Sequence, residues 1–288
     1  MSTLRVLRPR SQDPGWIHTI RELYAIDRVG VEYQPLIEAR DGGLVGYEAL
    51  ARFQDAQGRQ IPPDRVFQAL HGTGAGGLWV AELTLKRLQI AHAPADGLVF
   101  VNVDPCGLAE AGSDALSARL DELERVLAPR PGVVVELIEN TDTTHATVVD
   151  QVTRDLAGRG ITLALDDIGA AGAFLSLPQV SRVAYLKFDR SWITTWDQND
   201  PGHDPALLAA LLSYARQSGK RSVLEGVETP EHQRLAVQAG FDLVQGFLFR
   251  ERFVHATQPL AAEAPPRAAR RPGARLPTPA WGRAPRFS

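Results

Sequence analysis

Through the middle of the chain, short apolar runs rich in β-branched residues alternate with stretches whose apolar positions recur at helical spacing. The runs are GVEYQPLIEA (30–39), LVGYEALARF (44–53), LVFVNVD (98–104), GVVVELIEN (132–140), ITLALDD (161–167), RVAYLKFD (182–189), RSVLEGVE (221–228) and FDLVQGFLF (241–249). Most are near-continuous rather than alternating, as expected of strands covered on both faces. Residues 75–92, 143–160, 205–218 and 229–240 carry the helical period. Two of these have end signals: Asp204 before Pro205 with Gly219 beyond, and Thr229 before Pro230 with Gly240 beyond. A further helical pattern, PGWIHTIRELYAI (14–26), precedes the first run.

Eight such runs with helices between them predict an α/β fold, a TIM-like (β/α)8 barrel. A doubly wound open sheet uses similar units, but no G-x-G-x-x-G turn marks a switch point. Asp41-Gly42-Gly43 is hairpin chemistry between the first two runs and makes the first strand antiparallel. The expected divisions are an N-terminal helical extension (1–29), a barrel domain (30–256) and a Pro/Arg-rich tail (257–288).

Composition narrows the setting. A chain of 288 residues buries roughly 70–75% of its unfolded surface and needs no staple. The single cysteine, Cys106, excludes an internal disulfide and a multi-cysteine zinc site, and suits a reducing cytoplasm. No apolar run approaches the roughly 20 residues of a membrane span. The net charge is −3, yet the final APPRAARRPGARLPTPAWGRAPRFS carries six arginines and no acid. That tail reads as disordered, either a solubilising extension or a contact for nucleic acid, an acidic partner or acidic lipid. The acidic body offers no broad nucleic-acid face.

The runs end in polar residues: Glu48, Asn102, Glu136, Asp166, Lys187, Glu225 and Gln245, with Asp167 beside Asp166. In a barrel these ends converge on one face. Two unit charges 4 Å apart repel by about 4 kcal/mol at an effective dielectric near 20. Five carboxylates against one lysine therefore require protonation or divalent cations. Oxygen donors without cysteine or paired histidines point to Mg²⁺ or Mn²⁺. Two such ions, with Asp166 bridging and Asp167 on one of them, form a clamp for phosphodiester hydrolysis.

Each residue alone has a structural alternative. Glu48 could pair with Arg52 four residues along, Asn102 and Asp167 could cap turns, and Asp189 could cap a helix. Lys187 could form an interior ion pair and Gln245 a backbone hydrogen bond. Recurrence at consecutive strand ends favours the joint explanation. The seven histidines are scattered and show no ligand or base pattern.

These stretches resemble the EAL domain family of bacterial cyclic di-GMP phosphodiesterases. The resemblance runs from YQPLIEARDGGLVGYEALAR through VNVD, ELIE, LALDDIG, LKFD and EGVET to QGFLF, over about residues 30–252. It implies a barrel, a homodimer, two Mg²⁺ or Mn²⁺ ions, and hydrolysis of cyclic di-GMP to linear pGpG. By the same resemblance Glu48, Asn102, Glu136 and Asp166 ligate the first metal, and Asp166 and Asp167 the second. Lys187 holds and activates the attacking water, Glu225 and Gln245 order water at the metals, and Glu48 and Asp167 count among the catalytic set. Arg52, Gln34 and Gln245 contact substrate, and Glu139 steadies the loop after Asp167. That loop departs from the family: DDIGAAGAFLSLPQV has Ile168 for phenylalanine, lacks the family's threonine and serines, and is about four residues short. The alternative reading is therefore a catalytically weak or inactive cyclic di-GMP sensor acting through a protein partner. A third reading is another metal-dependent barrel enzyme acting on a small phosphorylated or acidic substrate.

Overall fold

β1 (Ile26–Glu38) and β2 (Leu44–Asp55) form the hairpin that begins the sheet. Its turn is the Asp41-Gly42-Gly43 segment, where Gly42 takes φ 75° and the Gly43 N–H donates to Asp41 Oδ1 at 2.9 Å. β4 (Leu98–Val103), β5 (Val133–Ile138), β6 (Thr162–Ile168), β7 (Tyr185–Phe188), β8 (Arg221–Leu224) and β9 (Leu243–Val244) follow, each parallel to the one before. β2 pairs parallel with β4, and β9 returns to pair with β1, so eight strands close a barrel. β1 is antiparallel to both neighbours, as the hairpin requires. Closure excludes the open sheet. This computed structural model describes residues 26–71, 77–105, 108, 113–138, 146–173, 175–193 and 204–259.

Helices α1 (Pro63–His71), α2 (Gly77–Ala91), α3 (Ser113–Leu127), α4 (Ala146–Gly158), α5 (Leu177–Arg182), α6 (Pro205–Gln217) and α7 (Pro230–Ala239) accompany the strands. The expected caps form: Asp204 Oδ1 accepts from the Ala206 N–H at 2.8 Å, and Thr229 Oγ1 from the His232 N–H at 3.2 Å. Each cap satisfies an N–H left without an intrahelical acceptor.

Three elements depart from expectation. Ile26, assigned by its period to a helix, opens β1 and pairs with Asp55, while the rest of 14–26 lies outside the described residues. β3 (Gln60–Ile61) and β10 (Val254–Pro259) are strands without an apolar signature, built by pairing with β2 and β1. The boundaries at 29/30 and 256/257 therefore fall inside β1 and β10, whose register runs from Arg28 opposite Pro259 to Tyr33 opposite Val254. Dividing the chain there would leave two unpaired edges. The upper halves of β1 and β2, flanked by β10 and β3, rise as an antiparallel wall beyond the carboxyl ends of the parallel strands. The arginine-rich tail from 260 onward lies outside the described residues.

Two apolar clusters result. The larger lies between barrel and helices, and includes Val101, Leu165, Phe188, Trp192, Leu212 and Ala236. The smaller fills the lumen with Leu36, Phe100, Val134, Ala164, Val223 and Leu243. Side chains along a strand alternate with period 2. Two residues beyond the lumen positions stand Asn102, Glu136, Asp166, Glu225 and Gln245, and Gln34 stands two before Leu36 on the reversed β1. The pleat that packs the lumen thus aims these polar groups at the axis, one layer higher.

Candidate active site

Lys187 is the centre of that upper layer. It is completely buried, and its Nζ lies 2.7 Å from Glu136 Oε1, 2.7 Å from Glu225 Oε1, 3.0 Å from Asp166 Oδ1 and 3.4 Å from Glu48 Oε2. Burial works against its charge, but the four carboxylates outweigh burial and hold its pKa well above the ordinary lysine value. It is an ammonium, a donor with no lone pair to accept a proton.

Glu48 is buried, and accepts from Asn102 Nδ2 at 2.8 Å and Gln245 Nε2 at 2.7 Å. Burial raises its pKa, but Lys187, Gln245 and Asn102 outweigh that and hold it below the usual carboxylate value. Its neighbours go the other way. Burial, then the charge of Glu48, pushes Glu136 well up; burial, then Asp166, does the same to Glu225. Asp166 is raised by burial and by Glu48, against the pull of Lys187. Asp167 is pushed up to about 6 by burial and by the charge of Asp166. One lysine does not neutralise five carboxylates, and burial favours the protonated form of Glu136, Glu225, Asp166 and Asp167.

Adjacent residues of a regular strand point to opposite faces, yet Asp166 and Asp167 serve one site. The β6–β7 ladder explains this. Leu165 pairs with Leu186 and Ile168 with Phe188, so two aspartates on β6 oppose Lys187 alone on β7. This is a bulge, the device by which a strand re-aims a side chain. Its signature is Asp167 at φ 58°, the one described non-glycine residue with positive φ.

The carboxylates of the two predicted metal sets are brought together, and Asn102 reaches the first group through its bond to Glu48. Ligand atoms of Glu48, Glu136 and Asp166 lie within 4.8 Å of one another, as do those of Asp166, Asp167 and Glu225, with Asp166 in both groups. Glu225 thus joins the second group directly, beyond the water-ordering role carried over from the resemblance. Glu136 Oε2 and Gln245 Oε1 are buried with no hydrogen bond of acceptable geometry, while Glu136 Oε1 is met by the Lys187 ammonium at 2.7 Å. Buried acceptors of this kind are costly unless something electropositive meets them. A set of oxygen donors with unmet acceptors fits hard divalent cations.

The substrate residues sit on the antiparallel wall. Arg52 does not pair with Glu48. Its Nη2 donates to Glu32 Oε1 at 2.6 Å, and Gln34 Nε2 donates to the same oxygen at 2.8 Å. Glu32 also lies 3.5 Å from His255 Nδ1, through Oε2, and Gln34 Oε1 meets Gln245 Nε2 at 3.5 Å. The sequence reading missed Glu32, although the hairpin register was available to find it. With Gly30 opposite Arg52 and Gln34 opposite Glu48, Glu32 is the diagonal neighbour of Arg52. Asp189 caps as expected, its Oδ1 accepting the Ser191 N–H at 2.9 Å. Glu139 lies outside the described residues. Among the described residues, no histidine joins the carboxylate groups.

A closed barrel with two carboxylate groups at the carboxyl ends of its parallel strands could hold divalent cations. A family model described as the EAL domain matches residues 18–252, and the chain belongs to that family. It is 28% identical over 240 residues to the bifunctional diguanylate cyclase/cyclic di-GMP phosphodiesterase MucR of Pseudomonas aeruginosa, covering 81% of this chain and 34% of that protein. It is 26% identical over 222 residues to the cyclic di-GMP phosphodiesterase PdeL of Escherichia coli, covering 75% of this chain and 60% of that one. The chain spans about a third of the length of the first curated relatives it matches. Among solved structures, the PaMucR phosphodiesterase in complex with c-di-GMP superposes with a TM-score of 0.64 at 24% identity, covering 86% of this chain and 98% of that one. The manganese/cy-diGMP complex of Klebsiella pneumoniae BlrP1 gives a TM-score of 0.60 at 25% identity, covering 81% and 59%. Among the described residues, no helix is long and apolar enough to cross a membrane.

Proposed function

We propose that this chain is a cyclic di-GMP phosphodiesterase that opens the cyclic dinucleotide to linear pGpG with two Mg²⁺ or Mn²⁺ ions. The observation that carries the proposal is the pair of carboxylate groups sharing Asp166. Glu48, Glu136 and Asp166, with Asn102 beside them, would hold one cation, and Asp166, Asp167 and Glu225 the other. When bound, such cations supply Lewis-acid stabilisation of phosphoryl charge and ease deprotonation of water.

The chain's own residues supply the rest. Lys187, held as an ammonium, orients a water by donation and stabilises developing negative charge nearby; it does not remove the proton. Gln245 fixes Glu48 through its amide N–H. Arg52 and Gln34 offer N–H donors on the wall above the pocket, suited to a phosphate oxygen in a charge-assisted bond. Relatives named for cyclic di-GMP hydrolysis and structures titled as its complexes support this substrate. The proposal places the reaction in the cytoplasm, and includes the homodimer carried over from the family, which sedimentation would test.

The decisive assay incubates the purified chain with Mn²⁺ and cyclic di-GMP and separates products by chromatography. Formation of pGpG, abolished in Glu48→Ala, is expected. Tight binding without pGpG over hours would move the chain to the sensor reading, which the short loop after Asp167 favours.

A further inference from the structure

Asp167 must be held at the carboxylate cluster, and β6 alone does not hold it there. Aspartate visits φ 58° more readily than most non-glycine residues, but the conformation still costs energy and needs support from its surroundings. Locally, the Asp167 N–H donates to Asp166 Oδ1 at 3.0 Å and its carbonyl accepts from the Ala170 N–H at 3.0 Å; a further restraint comes from the turn after β7. The indole Nε1–H of Trp192 donates to the Ile168 carbonyl at 2.8 Å, and the backbone N–H of Asp189 donates to the same oxygen at 3.1 Å. The hydroxyl of Ser191 donates to the next carbonyl, that of Gly169, at 3.1 Å. The turn is itself tied, because Asp189 Oδ1 accepts the Ser191 N–H. Trp192 is buried, with its ring edge-on to Phe188 at 6.1 Å, and Phe188 is the ladder partner of Ile168. The indole also lies close against the chain at Gly169, where φ is 90° and a Cβ would fall 2.3 Å from Nε1.

The carbonyls of the two residues after Asp167, Ile168 and Gly169, are therefore fixed from the turn after the neighbouring strand. Between Asp167 and Ser176 this chain has no polar side chain that could do the same. We infer that Trp192, assisted by Ser191, is a positioning residue for Asp167, its indole N–H holding the bulge in the conformation that presents this carboxylate to the second cation group. The inference rests on the two-cation reading above. It assigns Trp192 no contact with substrate or metal.

The test is Mn²⁺ titration of the full chain by calorimetry, with free Mn²⁺ counted by electron paramagnetic resonance. Wild type, Trp192→Phe and Ser191→Ala are compared, with thermal unfolding in EDTA as a fold control. Phenylalanine keeps a ring against Phe188 and Gly169 but cannot donate. The wild type is expected to bind two Mn²⁺. Trp192→Phe should weaken one of the two sites about 10- to 100-fold, the range for losing a partner that orients a ligand, and leave the other unchanged. Ser191→Ala should weaken the same site to a smaller degree. Two unchanged sites in Trp192→Phe, or two equally weakened ones, would overturn the inference while leaving the two-cation reading intact. Fewer than two Mn²⁺ on the wild type would overturn both. If Trp192→Phe fails to fold, Ser191→Ala decides, and an unchanged weaker site counts against the inference.

Discussion

Lys187 illustrates how far one residue's role depends on what surrounds it. Its ammonium is within 3.4 Å of four carboxylates and has no exposure to water. Removing one partner of a buried ion pair costs about 3–5 kcal/mol, because uncompensated charge remains. Lys187→Met should lose about that much stability in EDTA by urea denaturation, with part of the loss recovered when Mn²⁺ supplies positive charge. Arg52 is the second case. Glu32 is kept below the ordinary carboxylate value, despite burial, by the bonds from Arg52 and Gln34. That ion pair engages one guanidinium nitrogen that a substrate phosphate would otherwise use. Glu32→Gln should therefore tighten cyclic di-GMP binding, and Arg52→Ala should weaken it about 10- to 100-fold, the worth of one charged hydrogen bond. Calorimetry with Ca²⁺, a larger and more flexibly coordinated cation expected to support binding while suppressing turnover, reads both. Weaker binding in Glu32→Gln would mean that Glu32 orients Arg52 rather than competing with substrate.

At the scale of the element, the β6 bulge decides which substitutions Asp167 tolerates. Asparagine adopts positive φ readily, whereas a β-branched residue there is strained. Asp167→Asn removes one of the five crowded carboxylates without disturbing the backbone, so its melting temperature in EDTA should equal or exceed that of the wild type while activity falls. Asp167→Val should instead be destabilised by about 1–3 kcal/mol. If both variants melt alike, the bulge is not under strain. The bulge also marks where reading the chain stops short. Asn102, Glu136, Asp166, Glu225 and Gln245 were legible because each stands two residues beyond an apolar lumen position, a period written along a single strand. The bulge is a relation between two strands, with Lys187 opposite both aspartates, and no pattern within ITLALDD records it. Glu32 and Trp192 escaped for a related reason: their partners lie across a hairpin and on a neighbouring strand. β10 escaped because pairing alone makes it a strand; VHATQP carries too little apolar character to announce one.

At the scale of the whole molecule, the anionic layer couples stability to protons and cations. Asp167 holds its proton up to about pH 6, against 3.8 for an ordinary aspartate. Between those values the folded chain binds more protons than the unfolded one, so raising the pH favours unfolding. Glu136 and Glu225 are also raised and act in the same direction. Glu48 and Glu32, held low, act in the opposite sense, but only below their ordinary value of 4.5. The raised pKa of Lys187 matters only where lysines titrate, far above this range. The melting temperature in EDTA should accordingly fall as the pH rises from about 4.5 through 6. Divalent cations compete with protons for the same oxygens, so Mn²⁺ affinity should climb over the same interval. A ligand at 100 times its dissociation constant stabilises by about 2.7 kcal/mol, enough to displace the midpoint visibly. Melting temperature against pH should therefore slope downward in EDTA and flatten or rise in saturating Mn²⁺. Parallel slopes in the two series would mean that the cations bind somewhere other than the carboxylates at the mouth of the barrel.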